Sequence, residues 1–181
     1  MSLLRSTPTR APTLVLAVGN PSRGDDAAGP WLADQLDQWL SQSGISLQDQ
    51  VEVLCDQQLM VEHALDLVDR QRVLFIDAAA QLPTAFCWTR VSPSPAGPAV
   101  SSHQCTPAQL LQLCADTLNA PVPPCWLLSV RGEGFELGAP VSQAMQQTLN
   151  TVWPELCDRL TLPADQPWPT DHNPDIAPHH A

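Results

Sequence analysis

Short runs of apolar residues alternate along the chain with stretches in which apolar positions recur every three or four residues, and this alternation predicts strands and helices in turn. Thr13 to Gly19 is an apolar run closed by glycine, the pattern of a buried first strand. From Ala28 to Leu40 the apolar residues Ala28, Trp31, Leu32, Leu36, Trp39 and Leu40 fall on one helical face, leaving Asp34, Asp37 and Gln38 for solvent. Val51 to Cys55 reads as a second strand, Leu59 to Val68 as a short helix, Arg72 to Asp77 as a third strand and Phe86 to Val91 as a fourth. The eight-residue link between the last two, Ala78 to Ala85, predicts a hairpin and hence one antiparallel strand.

A Pro, Ser and Gly-rich loop, Ser92 to Ser102, belongs to neither neighbour. Thr106 followed by Pro107 is a helix start, with Leu110, Leu111, Leu113, Cys114 and Leu118 as the apolar face and Asn119 as the stop. Cys125 to Val130 is a fifth strand. A last helix begins near Ser142 and buries Met145, Leu149, Val152 and Trp153, with Pro154 interrupting it before Leu156 and Leu160. The expected fold is a three-layer αβα sandwich around a mostly parallel, twisted five-stranded sheet with one antiparallel strand. Residues 13–162 form the expected single domain, between a frayed leader, 1–12, and a Pro-rich tail, 163–181, that lacks periodicity and is expected to be disordered.

Composition narrows the chemistry. The 181 residues carry eight basic side chains, all arginine, against 19 acidic ones, for a net charge of −11. Without lysine, a Walker A phosphate loop, Schiff-base chemistry and Ser-Lys hydrolysis are excluded. The acidity argues against nucleic acid and anionic membranes as partners. No apolar run is long enough to span a bilayer, and the first residues lack the apolar core of a secretory signal, so a cytoplasmic location is expected. The six cysteines form no CxxC pair and are expected as free thiols.

In a sheet of this kind ligands sit beyond the carboxyl ends of the parallel strands, which selects three segments. Asp25 and Asp26, in GNPSRGDD, follow strand one; Asp77 ends strand three; His103 precedes the Thr106 cap. At roughly 3.3 Å per residue the Ser92 to Ser102 loop is long enough to return His103 to that edge. Two carboxylates and an imidazole would suit a first-row divalent ion such as Ni, Zn or Mn. Each also has a plain structural use: an Asp after a strand caps a helix, an Asp at a strand end closes a turn, and a His before a helix is often incidental. As a dinucleotide fingerprint GNPSRG fails, since it departs from GxGxxG. His63 beside Met60, Ala64 and Leu67 is expected to pack rather than ligate, and Cys105 lacks the electropositive surroundings of a reactive thiol.

The segment VLAVGNPSRGDDAAGPWLADQL resembles the opening motif of the [NiFe]-hydrogenase maturation endopeptidases. The resemblance continues through CDQQLMVEHALDL, similar to the branch serving soluble, cofactor-reducing hydrogenases, then FIDAAA, the His before a leucine-rich helix, and SVRGEGFELGAPVS, covering about Leu14 to Leu160. It departs at Ala27, where many relatives have Gly. The resemblance implies that Asp26, Asp77 and His103 contact the nickel of an immature hydrogenase large subunit, with Asp26 and Asp77 as the catalytic carboxylates. It implies removal of that precursor's C-terminal extension, with nickel carried by the substrate and no organic cofactor. The partner expected is the large-subunit precursor. Two other classes fit the same residues: a non-catalytic nickel metallochaperone or scaffold, and a magnesium-dependent phosphotransferase, the latter disfavoured by the missing lysine.

Overall fold

The computed structural model describes residues 10–94 and 105–169. Five strands, β1 (Thr13–Val18), β2 (Val51–Asp56), β3 (Arg72–Ala79), β4 (Phe86–Val91) and β5 (Cys125–Arg131), form one sheet in the order β2-β1-β3-β5-β4. All neighbouring pairs are parallel except β4 with β5. The helices are α1 (Ala28–Gln42), the single turn α2 (Ile45–Gln48), α3 (Pro107–Leu118) and α4 (Gln143–Thr161).

Alternation along the strands divides the core in two, as the period-two geometry requires. Val15, Ala17, Leu74, Ile76, Leu128 and Val130 pack under α1 and α4. Leu14, Leu16, Val18, Val73, Phe75 and Leu127 pack under α3 and the short 3₁₀ turn Val61–Leu65. The three-layer α/β sandwich expected from the sequence is therefore present. Thr106 caps α3 through its side chain, which accepts from the Gln109 amide at 3.2 Å, and Asn119 ends the helix in the left-handed conformation. Among the described residues no helix is long and apolar enough to cross a membrane.

Three expectations need correction. First, β3 and β4 do not form a hairpin. The antiparallel strand is β4, but β5 lies between it and β3. β5 is buried along Cys125 to Val130 and requires cover from strands on both sides, whereas β4, with Arg90 exposed, tolerates the edge. Second, the 59–68 stretch is helical only over Val61–Leu65.

Third, residues 163–169 of the expected disordered tail pack onto the domain, while 170–181 lie outside the described residues. Trp168 is 3% exposed and lies 5.2 Å from Trp126 and 6.0 Å from Trp88, ring centre to ring centre. Its indole N–H donates to the Arg159 carbonyl at 2.8 Å, and the Arg72 guanidinium stacks on its ring at 4.5 Å. Arg72 also fastens the segment leading to it, donating to the carbonyls of Leu162 at 2.7 Å and Pro163 at 3.0 Å. Of the expected leader, residues 1–9 lie outside the described residues; Pro12 accepts from the Gln71 amide at 2.8 Å and Ala11 from Arg70 at 2.7 Å.

Candidate functional site

The order β2-β1-β3 makes β1 and β3 the strands from which successive connections leave in opposite directions, and the crevice at their carboxyl ends is the switch point of the sheet. The chain turns sharply as it leaves β1. Gly19 has φ +144°, and a Cβ there would stand 2.0 Å from the Asp26 carbonyl oxygen, so only glycine fits. Asn20 then closes a small turn: its side-chain oxygen accepts from the Ser22 amide at 2.9 Å, and its carbonyl from the Arg23 amide at 3.0 Å. Its own amide donates to the Asp26 carboxylate at 2.9 Å, which holds that side chain over the end of β1. Gly29 lets α1 sit directly on this loop, since a Cβ there would be 2.1 Å from the Val18 carbonyl oxygen. Ala27 has φ −69°, an ordinary right-handed value, so the alanine at this position leaves the loop undisturbed.

The two acids of the pair have different surroundings. Asp26 is part-exposed in the crevice. Asp25 is 1% exposed and faces the other way, into the loop that follows β5. Its carboxylate accepts from the amides of Glu133 at 2.8 Å, Gly134 at 3.4 Å and Ser142 at 2.7 Å, and from the Ser142 hydroxyl at 2.9 Å. Burial alone would raise its pKa, but these donors together outweigh it and hold the carboxyl below the usual carboxylate range.

Asp77 lies in β3, paired across the sheet with Ser129 and flanked by β1. Its pKa is pushed up to about 7, first by burial and then by the negative charge of Asp26, against a weaker opposing hydrogen bond from the Ala78 amide. The structure thus brings Asp26 and Asp77 together as mutually repelling carboxylates. Such a pair retains a proton near neutral pH or accepts a cation that neutralises both. His103 lies outside the described residues. Among the described residues, no group of three His, Cys, Asp or Glu side chains could hold a metal ion.

The remaining candidates behave as packed side chains. His63 accepts the Met60 amide on Nδ1 at 2.9 Å, and its Nε2 stands 3.6 Å from the Asp56 carboxylate. Cys105 has its thiol pKa raised by burial and by Glu62, which disfavours the thiolate that a nucleophile requires. Cys55, Cys105, Cys114, Cys125 and Cys157 are free thiols, and the Cys87 sulfur lies 3.8 Å from the Thr89 hydroxyl.

No family model and no curated protein matches the sequence. Solved structures do match the coordinates. The hydrogenase maturating endopeptidase HybD from E. coli superposes with a TM-score of 0.64 at 22% identity, over 82% of this chain and 91% of its own. The [NiFe] hydrogenase maturation protease HycI from Thermococcus kodakarensis gives a TM-score of 0.60 at 18% identity, over 85% and 94%. The hydrogenase 2 maturation peptidase from a Thaumarchaeota archaeon gives 0.56 at 18%, over 83% and 99%. The chain has the fold of the hydrogenase maturation endopeptidases. In this maturation-endopeptidase fold the Asp26 and Asp77 pair occupies the β1 and β3 crevice.

The sequence pattern places Asp25, Asp26 and Asp77 at this edge, without telling the first two apart. It has no role for Ser142 beyond starting a helix, nor for the 132–134 loop, although both lie in the segment SVRGEGFELGAPVS. The pairing joins residues more than a hundred positions apart, and no local spacing reports it.

Proposed function

We propose that this chain is an endopeptidase that removes the C-terminal extension of a [NiFe]-hydrogenase large-subunit precursor, with the nickel carried by the substrate as its recognition element. The observation that carries the reading is the meeting of Asp26 and Asp77 at the switch point of a maturation-endopeptidase fold. Two carboxylates that repel one another form a favourable seat for a cation delivered by a partner, and the resemblance adds His103 as third ligand. A docked nickel draws Asp77 into its ionised form, reversing the upward push of burial and Asp26. The scissile peptide is then oriented beside the ion. Water adds to its carbonyl carbon as one carboxylate takes the water's proton; the C–N bond breaks and the leaving amine takes up a proton. The client expected is the large subunit of a soluble, cofactor-reducing enzyme, processed in the cytoplasm.

The test is a processing assay on a nickel-loaded precursor with wild type, Asp26→Asn and Asp77→Asn. Wild type should shorten the precursor, and both variants should slow it by at least about a hundredfold, the scale on which loss of an electrostatic or proton-transfer group is felt. Wild-type binding without cleavage would instead identify a metallochaperone. Cleavage by Asp77→Asn at the wild-type rate would remove that residue from the ligand set.

A further inference from the structure

We propose that Asp25 is a positioning residue, whose carboxylate locks the loop after β5 and the start of α4 onto the loop after β1 and thereby holds Asp26 in the crevice. The inference rests on the reading of Asp26 as the carboxylate that meets the substrate.

Both oxygens of Asp25 are already engaged. An ionised carboxylate offers about four lone-pair directions. One oxygen takes the Ser142 amide, and the other takes the amides of Glu133 and Gly134 and the Ser142 hydroxyl. A turn toward the crevice would break these bonds and leave their donors without an acceptor, so Asp25 is no alternative ligand to its neighbour. The Ser142 hydroxyl also accepts the Met145 amide at 3.0 Å, so the same contact ties Asp25 to the first turn of α4.

The backbone around Asp25 makes the lock tight. Its amide donates to the Gly134 carbonyl at 2.8 Å, Arg23 Nε donates to the Phe135 carbonyl at 3.1 Å, and the Gly138 amide donates to the Ser22 carbonyl at 2.7 Å. Gly24 and Gly132 allow this approach. A Cβ on Gly24 would stand 2.5 Å from the Gly134 carbonyl oxygen, and one on Gly132 would stand 2.5 Å from the Phe135 ring and 3.0 Å from the Asp25 Cβ. Asp26 is one peptide unit away, in the same 3₁₀ turn, Gly24–Ala27, and its carboxylate is held by the Asn20 amide at 2.9 Å. Loosening Asp25 therefore frees the turn that carries Asp26, and the Asn20 amide reports the displacement.

The test uses Asp25→Asn, which keeps the size but sets an NH₂ among donors, and Ser142→Ala, which removes one hydroxyl contact. Amide NMR should show the Asn20 resonance shifted and its hydrogen exchange accelerated in Asp25→Asn, with the same trend, smaller, in Ser142→Ala. On a nickel-loaded precursor, kcat for Asp25→Asn should fall by about a hundredfold, as expected when a reacting group is misplaced by about 1 Å, with KM changed far less. An unmoved Asn20 amide in folded Asp25→Asn, or in Ser142→Ala if the first variant does not fold, overturns the proposal even where wild type cleaves. A displaced Asn20 amide in a protein whose wild type cleaves nothing supports the positioning role and defeats the function proposed above.

Discussion

Replacing Asp77 by Asn tests the electrostatics of the crevice without any substrate. The carboxyl moves from an ordinary value of 3.8 in the unfolded chain to about 7 in the folded protein. The unfolded chain therefore releases this proton from about pH 4 upward, while the folded protein keeps it until about pH 7. Between those limits unfolding releases a proton, so the contribution of this group to stability is greatest below pH 4, declines as pH rises, and levels off above 7. A displacement of roughly three pH units at about 1.4 kcal/mol each gives a ceiling near 4 kcal/mol, and about 2 to 4 kcal/mol once water reaching this part-buried side chain is allowed for. Asn keeps an oxygen to accept the Ala78 amide and carries no charge. Urea denaturation of wild type and Asp77→Asn at intervals from pH 4 to 9 should show similar stabilities at pH 4, then a growing advantage for the variant that saturates above pH 7. Parallel curves across the range would mean that Asp77 is not held near neutrality by burial and Asp26, and the description of the crevice would fail.

Asp26→Asn removes the second cause of that displacement, so the Asp77 carboxyl, followed by carbon-detected NMR, should titrate at lower pH than in wild type; an unchanged midpoint would separate the two side chains. Trp168→Ala should lower stability by about 3 to 5 kcal/mol, read as a lower urea midpoint, because it empties a site between Trp88, Trp126 and Arg72. Truncation after Leu162 should do at least as much damage, whereas a wild-type midpoint would show the tail to be dispensable. Gly29→Ala should destabilise by about 1 to 3 kcal/mol in the same assay, since its methyl meets the Val18 carbonyl at 2.1 Å and either α1 or β1 must move.

The layers of the fold were legible in the sequence because they are written in local periodicity. Leu14, Leu16 and Val18 against Val15 and Ala17 already state which residues share a face, and the Thr106 cap with Pro107 marks the start of α3 where it is found. The position of β4 was not legible in the same way. A short link favours a hairpin, and only the competition between β4 and the more deeply buried β5 for the inner place decides against it. Trp168 escaped for a different reason: a single aromatic anchor in a proline-rich stretch has no period, and its pocket is made by residues from β3, β4, β5 and α4. At the site, the edge rule located Asp26 and Asp77, but the contrast between Asp25 and Asp26 came only with the structure. Adjacent acids look alike in sequence, and it is the loop after β5 that gives one of them a set of donors and leaves the other in the crevice.

In the function proposed above, Asp26 and Asp77 serve to cut a nickel-bearing partner. Intact-protein mass spectrometry of a purified hydrogenase large-subunit precursor, incubated with this protein with and without nickel loaded, measures this cleavage directly. Loss of a single C-terminal peptide is expected in the loaded sample and an unchanged mass in the unloaded one. An unchanged mass in both samples, or equal cleavage in both, would contradict that function.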